Sequence, residues 1–188
     1  MRFPYVPAAV KIPIPSLGGG LTRPRPIIAA RVIGPTGTQL IDGLLDTGSD
    51  DTVLEEWVAA LIGVDLTKAI HRDIGLVGRV QPVRVKYAAV RLRITDGSQE
   101  IYEWPAVIGF TPTKLRYPLF GYGSFLQFFN VDFHGDDCEV LVTPNKKFLV
   151  SVKPCHPYSA TAPSRHCHSR NLFAILADVL MFLSRSGS

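Results

Sequence analysis

Apolar residues recur along this chain in short runs separated by clusters of Gly, Pro, Asp and Asn, a pattern that predicts many short strands rather than long helices. "RPIIAARVI" and "TQLIDGLL" are two such runs. "GPTG" joins them with residues suited to a turn, so a hairpin is expected whose second strand ends on Asp46. The period then changes. In "TVLEEWVAALIG" the apolar residues Val53 and Leu54, Trp57 and Val58, and Leu61 and Ile62 follow helical spacing. Thr52 with Glu55 forms a capping-box pattern and Gly63 is a natural stop, so a short helix is predicted with Trp57, like Trp104, in the core. "IGLVGRV" reads as a glycine-marked hairpin. In "GRVQPVRVKYAAVRLRI" the alternation slips parity at Ala88 and Ala89, which predicts two half-buried strands or one bent strand. "FFNVDF", "GDD" and "CEVLVTP" predict a further hairpin, and "KFLVSV" a final strand. The expected fold class is mostly β with one or two short helices.

The two ends read differently from the middle. Residues 1–24 are rich in Pro and Gly and predict an extended N-terminal arm; the folded domain is expected over 25–153. Residues 154–188 read as a linker, "PCHPYSATAPSRHCHSR", followed by an apolar helix or disordered tail. Its segment "NLFAILADVLMFL" is too short to span a bilayer and contains Asp178, so no membrane span is expected.

Composition adds bounds rather than a function. With 188 residues, 46% of them apolar, the chain can bury a core of its own. The net charge of +4 comes from lysines and arginines spread along the sequence, so charge alone says little about partners; a solvated basic surface is the simpler reading, and no nucleic-acid partner is expected. Three cysteines, Cys138, Cys155 and Cys167, are too few and odd in number for a disulfide framework. With no early apolar stretch of signal-peptide type, they point to an intracellular, cytoplasmic protein. Cys155, His156, His166, Cys167 and His168 are zinc-ligand types at spacings that match no common zinc site, so no metal and no cofactor is expected.

The chemistry concentrates in "GLLDTGSDDTVLEEW", where an apolar strand ends on a carboxylate. Thr47 adds a hydroxyl next to it, and Gly48 permits a backbone path other residues resist. An ordinary turn accounts for Asp, Gly and Ser taken singly. The wider stretch "LLDTGSDDTVLEE" resembles the active-site segment of the retropepsin-like aspartic proteases, the retroviral proteases and their cellular relatives. The resemblance covers about residues 25 to 152. It implies a closed acid-protease β-barrel over 25–153, with Asp46, Thr47 and Gly48 as the catalytic triplet and Ser49 donating to the outer carboxylate oxygen. It further implies substrate contacts from Ser49, Asp50 and Asp51, and a flap over bound peptide from Gly75, Leu76, Val77 and Gly78. "PLFGYGSFLQFF" matches the family's second element: Leu119, Phe120 and Gly121 would support the catalytic loop from behind, with a short helix starting near Tyr122. Many retroviral enzymes carry an arginine where this chain has Tyr122. Arg25 is similar to an upstream arginine that in viral relatives pairs across the dimer with the position of Asp50.

Peptide hydrolysis by such enzymes needs two carboxylates sharing one proton, and this chain offers one triplet. "TDGS" at Asp96 lacks both the apolar lead-in and the middle hydroxyl and reads as a hairpin turn. The resemblance therefore implies a two-fold homodimer acting on an extended peptide or protein substrate. The alternative is a catalytically silent peptide-binding or dimerisation module of the same fold.

Overall fold

The structure, a computed structural model, describes residues 1–75, 81–98 and 100–151. The linker and helix expected over 154–188 lie outside the described residues, as do Leu76, Val77 and Gly78 at the tip of the expected flap. The described chain is mostly β. Strands β1 (Arg2–Pro4), β2 (Val6–Ile14) and β3 (Gly20–Arg25) come first, followed by β4 (Ile27–Ile33), β5 (Thr38–Leu45) and β6 (Val53–Glu55). A short helix, α1 (Glu56–Leu61), precedes β7 (Ile70–Ile74), β8 (Val83–Ile94), β9 (Tyr102–Thr111) and β10 (Leu119–Phe120). Strands β11 (Phe129–His134) and β12 (Glu139–Pro144) lead to a second helix, α2 (Lys146–Ser151).

The central sheet runs β4-β5-β10-β6-β9-β8-β7. β8 pairs on one edge with β9 and on the other with β7 in its first half and β4 in its second, so the hydrogen-bonded neighbours lead from β4 through β5, β10, β6, β9 and β8 back to β4. Alternating side chains of these strands meet inside: Ile28, Ala30 and Val32 of β4, Ile41 and Leu45 of β5, and Leu92 and Ile94 of β8 are buried together. Beside them Trp104 meets Phe125 and Phe129 edge to face, with ring centroids 5.5 and 5.0 Å away. Each such side chain contributes roughly 1.5–3 kcal/mol by leaving water.

β8 is a single strand. It pairs with β9 continuously from Lys86 to Ile94, and the parity slip marks where its buried face changes over, from Val83 and Val85 to Val90, Leu92 and Ile94. The changeover, at Tyr87 to Ala89, begins at the last residue paired with β7 and ends before the stretch paired with β4.

Several expectations are corrected. The helix after Thr52 is shorter than its apolar pattern: Val53–Glu55 is strand β6, paired parallel to β9, and Glu55 occupies the N-cap position with no side-chain cap bond. Thr52 uses its hydroxyl elsewhere, and Trp57 lies 48% exposed instead of in the core, while Val58, Ala59 and Ile62 face inward. The described part of "KFLVSV", up to Ser151, lies in α2 rather than in a strand. Asn145 accepts the backbone N–H groups of Lys147 and Phe148 at 2.9 and 3.4 Å and so caps the helix, and Phe148 enters the aromatic cluster. The helix expected near Tyr122 is a 3-10 turn at Leu126–Phe128.

Residues 1–24 carry strands. β1 pairs with β12 at the edge of a three-stranded sheet β1-β12-β11, where Pro4 loses no ladder bond, and Met1 and Phe3 join the core. β2 and β3 form a separate two-stranded hairpin, with Pro15 opening the 3-10 turn between them and Gly18 in the left-handed region closing it.

Candidate active site

Asp46 is the first residue after β5, and its backbone position is fixed from both sides. Its N–H donates to the Phe120 carbonyl at 3.1 Å, and its own carbonyl accepts the Ser49 N–H at 3.2 Å, closing a tight turn. The Gly48 N–H donates to Asp46 Oδ1 at 3.0 Å. Thr47 is exposed and its hydroxyl has no hydrogen-bond partner among the described residues. Ser49 differs from expectation: its hydroxyl donates to the Asp51 carbonyl at 2.8 Å and not to the Asp46 carboxylate. Asp50 is exposed, and its carbonyl accepts the Gly123 N–H at 2.7 Å.

The segment behind this turn explains its own composition. β10 lies between β5, to which it is parallel, and β6, to which it is antiparallel, so Leu119 and Phe120 share one ladder with the strand that delivers Asp46. Two glycines make the fit possible. A Cβ on Gly43 would sit 2.3 Å from the Phe120 ring, and one on Gly121 would sit 2.3 Å from the Asp51 carbonyl oxygen. The Tyr122 N–H donates to the Ser49 carbonyl at 2.9 Å, and the Thr52 hydroxyl to the Gly123 carbonyl at 2.8 Å, so residues 49–52 and 121–123 run as one bonded pair of segments. Beneath them Ser124, held at a positive φ of 68°, has its hydroxyl between the Val107 N–H and C=O, and its own carbonyl accepts the Trp104 indole N–H at 2.9 Å.

Tyr87 was not anticipated from the sequence. Its hydroxyl donates to Asp51 Oδ2 at 2.6 Å from the changeover point of β8. Burial first, and then the neighbouring carboxylate, push the phenol well above its usual value, so it stays a hydrogen-bond donor. One Asp51 oxygen is thereby occupied inside the chain. The parity slip was the available signal, since a polar-tipped aromatic at a face change has its ring in and its hydroxyl at the rim.

These residues open on a cleft of about 660 Å³. Its lining comes from the Asp46 turn (Asp46, Gly48, Ser49, Asp50 and Asp51), from Ile74 and Gly75 at the end of β7, from the segment Thr113 to Tyr117, and from Arg25 and Leu119. The expected site residues Asp46, Gly48, Ser49, Asp50, Asp51, Gly75 and Leu119 are thus brought together on the cleft, and Thr47 is not part of its lining. Phe120 and Gly121 stand behind the wall as packing and backbone support. Asp96 stands apart, in the turn between β8 and β9, where it accepts the N–H groups of Ser98 and Arg2, both at 3.0 Å.

Away from the cleft, His134, Asp137 and Glu139 bring one metal-ligand atom each within 4.8 Å of one another, but Glu139 is also ion-paired with Arg2. Among the described residues no helix is long and apolar enough to cross a membrane. Neither models of protein families nor curated proteins match this chain. Among solved structures it is weakly similar to the EIAV protease complexed with the inhibitor HBY-793, at 18% identity over 52% of this chain and 81% of that one, with a TM-score of 0.35.

Proposed function

We propose that this chain is an aspartic endopeptidase of retropepsin type, working as a two-fold homodimer in which each copy supplies one Asp46. The observation that carries the reading is the position of Asp46. An apolar strand ends on a carboxylate that faces a 660 Å³ cleft, with one oxygen held by the Gly48 N–H at 3.0 Å and an unbonded Thr47 hydroxyl beside it. The returning ladder from β4 to β8 fits the closed barrel that such a domain would have.

In the dimer the two Asp46 carboxylates share a single proton, because two like charges about 3 Å apart resist joint ionisation. The ionised member takes a proton from a water as the water oxygen attacks the peptide carbonyl carbon. The protonated member donates to the carbonyl oxygen, and the proton then moves to the departing amide nitrogen as the C–N bond breaks. Thr47 of each copy bonds across the two-fold axis and fixes the pair. Gly48 and Asp50 meet the backbone of an extended peptide, the segment Gly75 to Gly78 covers it, and Asp51, occupied by Tyr87, holds the loop.

The test is incubation with a diverse peptide library, wild type beside Asp46→Asn, from acidic to neutral pH. The substitution should lower cleavage by about 10²–10⁴-fold, the usual share of an acid–base group, and leave the dimer intact in sedimentation. Cleavage retained by Asp46→Asn, or a strictly monomeric wild type, refutes the reading. Peptide binding by a dimer with no cleavage at any pH would instead favour the silent binding module.

A further inference from the structure

Among the described residues, the cleft holds cations that no ion pair answers. Of the carboxylates on its walls, Asp51 receives the Tyr87 hydroxyl at 2.6 Å and Asp73 faces Arg84 at 3.0 Å, so both are answered from within. Arg25, Arg72, Lys114 and Arg116 line the same cleft, and among the described residues none of them forms an ion pair. The Nε of Arg25 is buried with no hydrogen-bond partner. If Arg25 meets the partner copy's carboxylate in the dimer, Arg72, Lys114 and Arg116 still have no ion pair among the described residues, and of these Lys114 and Arg116 share one segment.

Lys114 and Arg116 are held in place by backbone tethers on their segment. The Leu115 N–H, between them, donates to Glu55 Oε1 at 2.7 Å; the Thr113 N–H donates to the Thr111 hydroxyl at 3.2 Å; and the Pro118 carbonyl accepts the Leu44 N–H at 2.9 Å. Glu55, the nearby acid that could have neutralised them, is taken up by that N–H and by the Trp57 indole. The Arg116 guanidinium lies 5.7 Å from the Tyr117 ring centroid, a contact that orients the group and leaves its charge in place. Two cations with no ion pair among the described residues favour an anionic partner in the cleft they line, and the Asp46 and Asp50 carboxylates that line it too disfavour a polyanion more than a single carboxylate.

We propose that Lys114 and Arg116 form a subsite that selects an acidic side chain in the bound peptide, so that substrates carry Asp or Glu beside the bond that Asp46 attacks. The inference rests on the peptidase reading, and the experiment separates the two. Three pools of short fluorescent peptides, identical except for Glu, Gln or Lys fixed at one central position, are titrated into full-length Asp46→Asn, which binds without cutting. The Glu pool should bind about fivefold tighter than the Gln pool, the scale of a partly solvated ion pair, and the gap should narrow with added salt. It should vanish when Lys114→Gln and Arg116→Gln are added, and reverse in favour of the Lys pool with Lys114→Glu and Arg116→Glu, the melting temperature being followed throughout.

No preference for Glu, a preference that survives loss of both cations, or tighter binding of a single-stranded oligonucleotide than of the Glu pool overturns the subsite. Wild-type cleavage of the Glu and Gln pools at equal rates would leave the peptidase standing and remove the subsite. Acid-selective binding without any cleavage by wild type would do the reverse.

Discussion

Tyr87 and Asp51 form a contact that no single run of sequence announces. One sits in the middle of a long strand and the other in the turn after Asp46, and the 2.6 Å bond between them ties the candidate loop to β8. A hydrogen bond to a charged group in a half-buried position contributes about 1.5–3 kcal/mol. Tyr87→Phe keeps the ring and removes the bond, so it should lower stability by about that amount in denaturant unfolding. An unchanged midpoint would mean that Asp51 has another support. The turn at Asp46, Thr47 and Gly48 was legible because its signals are local: an apolar lead-in, a carboxylate and a turn glycine fall within five residues. The partners of Ser49 and Asp51 were not, because they are set by which backbone groups the fold leaves open nearby. For Ser49 that is a carbonyl two residues on, and it outcompetes the carboxylate.

At the scale of elements, strands whose side chains alternate in and out were readable from the chain, and β4, β5, β11 and β12 fall where the pattern places them. The misreadings occur where one residue serves two elements. Phe148 and Val150 read as strand, yet the Asn145 cap and the aromatic cluster waiting for Phe148 turn the segment into α2. Thr52 reads as a helix cap, yet its hydroxyl bonds the Gly123 carbonyl and lets β6 form first.

The turn from β8 to β9 has a measurable pH signature. Hydrogen bonds from Ser98 first, then the Arg2 N–H, with the terminal ammonium as a lesser cause, bring Asp96 down to about 2. Its folded value lies below the unfolded one of about 3.9, so its stabilising effect is complete above that value and is lost as pH falls towards the folded one. Asp96→Asn should therefore melt below wild type near neutrality, and the difference should close between about pH 4 and pH 2. A gap that persists at the acid end would assign the effect to packing.

For the whole molecule, the beginning of the chain carries more weight than its composition suggests. Prolines at 4, 7, 13 and 15 suggest an arm, but each is in a place that tolerates it: an edge strand, a two-stranded hairpin or a turn. Phe3 consequently belongs to the same buried set as Val140 and Val142. Phe3→Ala should cost about 3 kcal/mol, read as a lower denaturant midpoint at unchanged slope. A loose arm would give no shift.

The described residues hold two tryptophans in opposite surroundings, and this gives the protein a built-in optical probe. Trp57 stands in solvent, whereas Trp104 is sealed in and hydrogen-bonded to the carbonyl of Ser124, directly under the segment on which the Asp46 turn rests. A soluble quencher such as iodide will silence the first and spare the second. The blue-shifted emission that survives quenching should then follow the seat of the candidate site, and a ligand that reorganises the cleft can be observed without attaching a label.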